Sequence, residues 1–314
     1  MSVFRAYDIR GLVPKEINED FAKLLGLAIP NEFTADKILV GHDMRTHSKK
    51  IVESLIQGLI ERGIDVYDMG QCSSAQFYFT GAYYKFDQGV MVTASHNPKE
   101  YNGFKFIRKN ATPVSYESGL NKLEKLHGKI HKISKNSGII HQIDSKEDFD
   151  LFLEKNIDAP NKLKIVINAA NGMGGVDAKI ISKYHKVKGV YYKPDGNFPN
   201  YTPNPLLEKF RDDIYGQVKI AKADIGIGLD GDDDRAGFFD ENGQYIPSDY
   251  ILALMIDRYC KPGDTVIADL RISRVAEEVA KKKDIKVVRS RVGHSYMAAL
   301  MRKHDACIGA ELSG

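Results

Sequence analysis

Four aspartates fall within five residues, Asp230, Asp232, Asp233 and Asp234, directly after the apolar run Ile225-Gly226-Ile227-Gly228-Leu229. Two like charges about 4 Å apart repel by roughly 4 kcal/mol at an effective dielectric near 20, so such a cluster at a buried strand end calls for a cation. In an extended turn alternate residues share a side, which predicts that Asp230, Asp232 and Asp234 converge while Asp233 points away. Three carboxylates with open positions suit a hard ion such as Mg²⁺, whose other sites take water or phosphate oxygens. Arg235 beside them suits a phosphate or the metal ligands. The bland alternative is a solvated acidic turn. A calcium EF-hand is excluded, because Arg235 stands where that loop needs glycine.

Ser95 lies in Thr93-Ala94-Ser95-His96-Asn97-Pro98, where a strand enters a turn fixed by Asn97-Pro98. Alone it reads as a turn former. A serine-hydrolase reading is weaker, since no Gly-x-Ser-x-Gly elbow is present and the adjacent His96 points elsewhere on an extended chain. Ser95 becomes a candidate phosphoryl carrier if a metal site and cations lie near it; Arg10 and Lys105 are the candidate cations. Glu311 and Ser313 offer alternating acceptors and donors for sugar hydroxyls, or else a solvated loop. Gly172-Met173-Gly174-Gly175 lacks dinucleotide spacing and reads as a tight βα turn.

These loops need elements to hold them. Asn18 caps a helix with Phe21, Leu24, Leu25 and Ala28 on one face. Strands are predicted at Lys37–Gly41, Ile64–Met69 and Gly89–Thr93, with helices from Ser48 to Gly63 and Ala75 to Lys85 between them. A polar stretch, 129–146, marks a boundary. The rhythm restarts with strand Leu163–Asn168, a helix to about Tyr184 and strand Val187–Tyr192. A fixed Pro/Gly/Asn loop over 194–205 precedes helix Leu207–Ala221. Past the turn Glu241-Asn242-Gly243 come helix Asp249–Tyr259, strand Thr265–Leu270, helix Val275–Lys283 and strand Lys286–Arg289. Alternating strands and helices mean an α/β protein. The expected units are 1–146, 147–243 and 244–314. In such sheets ligands bind outside the carboxyl ends of strands, where all three unusual segments sit.

The chain has 314 residues, 45 basic and 42 acidic side chains, and a net charge of +3. That balance gives no electrostatic case for nucleic acid or an anionic membrane. Apolar residues at 43% exclude a disordered or fibrous chain, and no stretch reaches the length of a membrane span. Cys72, Cys260 and Cys307 have no metal-type spacing and read as reduced, mostly buried thiols of a cytoplasmic protein. Oligomeric state leaves no signal.

Jointly the segments resemble the α-D-phosphohexomutase family, in its phosphomannomutase/phosphoglucomutase branch. The resemblance rests on Phe4-Arg5-Ala6-Tyr7-Asp8-Ile9-Arg10-Gly11, the Ser95 segment, Asn102-Gly103-Phe104-Lys105, Pro194 to Pro199, Gly228 to Arg235, Val292-Gly293-His294-Ser295 and Glu311-Leu312-Ser313-Gly314. It implies tandem α/β/α domains with mixed sheets. It also implies interconversion of hexose 1- and 6-phosphates through a phosphoserine at Ser95 and a bisphosphorylated sugar. Asp230, Asp232, Asp234 and the Ser95 group would bind one Mg²⁺. Arg10, Lys105 and Arg235 would surround the transferred group, with His96 and Asn97 shaping its loop. Glu311, Ser313, His294 and Tyr7 would face the sugar. The partners implied are small sugar phosphates. Leu312 favours mannose or glucose over glucosamine.

Family members carry four domains, so the resemblance implies an incomplete third domain and no fourth. Ala310 replaces a family glycine, and Arg271 stands where a lysine is common. Two further readings stay open: a non-catalytic fragment binding Mg²⁺ and sugar phosphate, and a haloacid-dehalogenase-type phosphatase using Asp230 as nucleophile.

Overall fold

A computed structural model describes residues 2–33 and 35–313; Gly314, the last residue of the Glu311 segment, lies outside them. The first unit runs β1 (Ile9–Leu12), α1 (Glu19–Glu32), β2 (Lys37–His42), α2 (Ser48–Glu61), β3 (Asp65–Gln71), α3 (Ser74–Tyr83), β4 (Gln88–Val92), β5 (Tyr101–Arg108), β6 (Thr112–Pro113), α4 (Asn121–Leu126) and β7 (Ile140–Gln142). Asn18 Oδ1 accepts the Phe21 N–H at 2.9 Å, which starts α1 where the sequence predicts. Ala22, Leu25, Ala28 and Ile29 form its buried face. α1 and α2 cross with their backbones touching: a Cβ on Gly26 would lie 2.3 Å from the Leu55 carbonyl oxygen.

The first sheet has the order β1-β5-β4-β2-β3-β7, with β6 on β5. β4, β2, β3 and β7 are parallel, whereas β5 runs antiparallel to both β4 and β1. The predicted rhythm accounts for the parallel part. The boundary expected over 129–146 is not simply a linker, because its Ile140 pairs with Val66 and extends the sheet by β7.

α5 (Lys146–Asn156) follows and packs on α3, with the Phe79 ring 5.4 Å from Phe149 and 5.1 Å from Phe152. Next come β8 (Lys164–Asn168), the single turn α6 (Gly174–Asp177), a 3₁₀ stretch over Ala178–Lys183, β9 (Lys186–Val190), α7 (Glu208–Ala221), β10 (Ile225–Leu229), β11 (Ala236–Phe239) and β12 (Tyr245–Ile246). Their sheet has the order β12-β11-β10-β8-β9. Phe210, Ile214 and Val218 of α7 are fully buried against it.

The last unit holds α8 (Ser248–Tyr259), β13 (Thr265–Asp269), α9 (Val275–Lys282), β14 (Lys286–Ser290), α10 (His294–His304) and β15 (Ile308–Ala310). β14, β13 and β15 form a parallel three-stranded sheet. Leu252, Ile256, Val266, Ala268, Ala276 and Ala280 make its core. All three cysteines are free thiols, Cys72 and Cys260 buried and Cys307 exposed, and the Cys260 and Cys307 sulfurs lie 2.9 Å apart. Tandem α/β/α layers are thus the architecture, with mixed first and second sheets and a third that is parallel among the described residues, and each sheet aims strand ends at one cleft.

Candidate active site at the meeting of three strand ends

β4 delivers the Ser95 loop. Ser95 adopts a left-handed backbone, φ +49°, which costs of order 1–3 kcal/mol and must be held by its surroundings. Thr93 Oγ1 accepts the Ser95 N–H at 2.9 Å. Arg45, with a side chain wholly buried, spreads its guanidinium under the loop. Its Nη2 donates to the carbonyls of Ser95 (2.8 Å) and Asn97 (2.7 Å). Its Nη1 donates to those of Pro98 (2.7 Å) and Tyr101 (3.1 Å), and Nε donates to Asp43 at 3.2 Å. From β1, Arg10 Nη1 donates to the Ala94 carbonyl (2.7 Å) and to Asn97 Oδ1 (2.6 Å), while its other arm pairs with Asp8.

β10 delivers the aspartates. Ser95 Oγ donates to Asp230 Oδ2 at 2.7 Å, joining two loops 135 positions apart. Gly231 has to be glycine at this junction, since a Cβ would stand 2.5 Å from the Ser95 carbonyl oxygen. Asp232 accepts from Ser74 Oγ at 2.6 Å and from Lys105 Nζ at 2.6 Å, and Lys105 also reaches Asp234 at 2.5 Å. Asp233 turns the other way, towards Asp177, as expected, but through a left-handed turn (φ +61°) and not through extended alternation.

Oxygens of Asp230, Asp232 and Asp234 lie within 4.8 Å of one another. Burial first, then the neighbouring Asp232 and Asp234 charges, pushes the Asp230 carboxyl up to about 8. Burial would also raise Asp232, but the Lys105 ammonium holds it well below the usual carboxylate range. Burial opposes the Lys105 charge, and the two carboxylates outweigh it, leaving that amine well above its ordinary value. Asp232 Oδ1 is buried without a hydrogen-bond partner. Three carboxylates, one with a buried and unpartnered oxygen, fit a hard divalent cation.

Asp230 makes a poor phosphatase nucleophile. It is fully buried, with Oδ2 taken by Ser95 and Oδ1 accepting the Asp234 N–H at 3.1 Å, so neither oxygen is free for in-line attack.

Around the two loops a cavity of about 380 Å³ is lined by Tyr7, Arg10, Ser95, Lys105, Asp234, Arg235, His294 and Glu311, among others. Arg235 Nη1 contacts His96 Nδ1 at 3.0 Å. Burial, then the Arg235 and Arg10 charges, pushes His96 down to about 4. His294 also falls to about 4, through burial and then Lys105, and its ring meets Tyr7 edge-on at 5.5 Å. Glu311 Oε1 accepts the Gly293 N–H at 2.6 Å. His96 and Asn97 border an adjoining hollow with Arg10 and Arg235. Ser313 does not line the cavity, and Arg271 turns instead to Asp269, 2.6 Å away.

Sequence reasoning missed Asp43, Arg45 and Ser74. A signal existed for the first two: Asp43-Met44-Arg45 follows the carboxyl end of β2, the strand beside β4.

Comparison with known proteins bears on all three units. Family models described as phosphoglucomutase/phosphomannomutase alpha/beta/alpha domains I, II and III match residues 1–134, 144–243 and 247–314. A phosphomannomutase of Escherichia coli is 37% identical over 327 aligned positions, covering 100% of this chain and 72% of that protein. A protein of Xanthomonas campestris described as phosphohexose mutases is 35% identical and covered over 71% of its length. A crystal structure of a phosphoglucomutase/phosphomannomutase family protein from Burkholderia thailandensis superposes with a TM-score of 0.90 at 28% identity, over 99% of this chain and 71% of that one.

Proposed function

The chain belongs to the phosphoglucomutase/phosphomannomutase family, a phosphohexomutase by kind, and from that premise we propose that Ser95 carries the phosphoryl group between the 1- and 6-positions of mannose or glucose phosphate. The observation that carries this reading is the Ser95 hydroxyl, 2.7 Å from Asp230 and ringed by Arg10, Lys105 and Arg235 at the cavity. Ser95 Oγ gives its phosphoryl group to the free hydroxyl oxygen of a hexose monophosphate: the bond from phosphorus to Ser95 Oγ breaks as that to the sugar oxygen forms, and the hydroxyl's proton ends on Ser95 Oγ. The resulting bisphosphate turns over and returns its other phosphoryl group to Ser95 Oγ. Phosphoryl transfer depends mainly on positioning and neutralisation of oxygen charge. Lys105 and Arg235 supply fixed positive charge, and Arg10 holds the loop while facing the cavity. Asp230, Asp232 and Asp234 would hold Mg²⁺, which supplies further charge neutralisation at the transferring oxygens. His96 and His294, neutral above about pH 4, add no charge at physiological pH. Glu311, which lines the cavity, would accept from sugar hydroxyls. Leu312, between Glu311 and Ser313, supports a hexose over a glucosamine substrate.

The test is interconversion of the 1- and 6-phosphates of mannose, glucose and glucosamine, followed by phosphorus NMR, with intact-mass measurement of phosphate on Ser95. Ser95→Ala is expected to lose both the bound phosphate and turnover. Wild-type turnover in Ser95→Ala would overturn the role of Ser95, and turnover of glucosamine phosphate alone would overturn the substrate assignment.

A further inference from the structure

Two thiols far apart in the chain meet on the third unit, neither of them among the residues lining the cleft. Cys260 ends α8, its N–H bonded to the Ile256 carbonyl at 3.2 Å. Cys307 leads into β15, its N–H bonded to the Thr265 carbonyl at 3.0 Å. Cys260 is 5% exposed, Cys307 is open to solvent, and their sulfurs are 2.9 Å apart. An Asp264 carboxylate oxygen lies within 4.8 Å of both. A metal reading fits this group poorly. Two thiolates on one zinc stand roughly 3.8 Å apart, from bonds of about 2.3 Å at tetrahedral angles. Asp264 Oδ2 already accepts the Lys261 N–H at 2.7 Å, and no fourth ligand joins the group among the described residues.

We propose that Cys260 and Cys307 form a redox-active dithiol, closed to a disulfide by a small-molecule disulfide and thereby pinning β15. Burial, then the neighbouring Cys307 and Asp264, pushes the Cys260 thiol up to about 12, which makes it a poor first nucleophile. The exposed Cys307 therefore opens the exchange. As thiolate it attacks one sulfur of the oxidant, releases one small thiol and leaves a mixed disulfide. Cys260 then loses its proton to solvent and attacks Cys307 Sγ, expelling the second small thiol. The protein gives up two electrons and two protons, and the oxidant is reduced to two thiols.

The bond would tie the end of α8 to a strand that, among the described residues, pairs only with β13. β15 leads directly to Glu311, whose carboxylate faces the cleft, and to Leu312, whose N–H bonds to Asp269 at 2.9 Å. Closure thus orders the segment that presents Glu311.

The experiment uses the intact chain with oxidised glutathione and reads no turnover. After equilibration, acid quench and denaturation, the free-thiol titre is expected to fall from three to one. Non-reducing peptide mapping should join Cys260 to Cys307 and leave Cys72 free. Cys260→Ser should stop at a glutathione adduct on Cys307, and Cys307→Ser should keep both remaining thiols free. Amide exchange over 308–312 should slow in the oxidised wild type and stay unchanged in Cys307→Ser under the same oxidant. Three free thiols under excess oxidant, or a persistent glutathione adduct on wild-type Cys307, would overturn the proposal. So would stoichiometric zinc released from the purified protein only when the thiols are blocked.

Discussion

Replacing Arg45 with lysine keeps the charge and removes the fork. The guanidinium makes five hydrogen bonds, one to Asp43 and four to the carbonyls of Ser95, Asn97, Pro98 and Tyr101. An ammonium has three donors, so at least two of these acceptors are stranded in a site with no exposed side-chain surface. At about 1.5–3 kcal/mol for each bond to a charged group, Arg45→Lys should cost about 3–6 kcal/mol. That is a large share of the ~5–15 kcal/mol that typically holds a domain folded. The loop that relaxes is the one holding Ser95 at φ +49°. A displacement of about 1 Å there should lower kcat/KM by about 100-fold. Urea unfolding followed by circular dichroism reads the first effect, and mutase assays well below the midpoint read the second. The control is Arg108→Lys: its partly exposed guanidinium meets the largely buried Glu32 at 3.1 Å, a lysine can keep the ion pair, and the loss should stay within about 1 kcal/mol. If Arg45→Lys proves as mild as that control in both stability and rate, the loop does not depend on the fork.

Three further outcomes are expected. Gly196→Ala would set a Cβ 2.5 Å from both Met44 O and Thr46 N, so it should destabilise by about 1–3 kcal/mol, read as a lower urea midpoint. His294 stays neutral in the fold down to about pH 4, against an ordinary value of 6.5. The unfolded chain therefore binds more protons between those values, and stability should fall as pH drops from 6.5 to 4; His294→Gln should flatten that loss in pH-dependent melting. Mg²⁺ should raise the melting temperature of the wild type, and Asp232→Asn should abolish the rise while leaving the circular dichroism spectrum intact.

Much of the architecture was legible because burial dictates composition. Ile38-Leu39-Val40 and Val90-Met91-Val92 are covered on both faces and read as continuous apolar runs. β5 escaped because its buried positions include Asn102 and Lys105, which break the pattern for the sake of the site. Its Gly103, often a strand weakener, is required where a Cβ would meet the Ile9 carbonyl oxygen at 2.1 Å. β7 hid in a polar stretch as a three-residue edge strand with Ile140 half exposed. α10 buries only Ser295 and Met297, so it leaves little apolar periodicity. The aspartate cluster was legible by spacing alone. Its meeting with Ser95 was not, since no local pattern relates positions 95 and 230; the family resemblance supplied that link.

The junction of Ser95 and Gly231 divides the molecule mechanically. The first two sheets touch there through backbone, again at the Ser74 N–H on the Asp232 carbonyl (2.8 Å), and again where Gly196 sits against residues 44–46. Buried main-chain contacts of this kind cannot slide without breaking hydrogen bonds, so the Ser95 loop and the aspartates behave as one block. The third sheet meets that block partly through exposed polar contacts, Arg291 with Glu117 at 3.5 Å and Arg302 with the Asn110 carbonyl at 3.1 Å, and partly through the rings of Tyr7 and His294. Such surface contacts are weak and salt-sensitive. On the proposed cycle the bisphosphate has to turn over, and the wall best able to yield to it is the third unit, held to the block by weaker contacts than those that join the first two sheets.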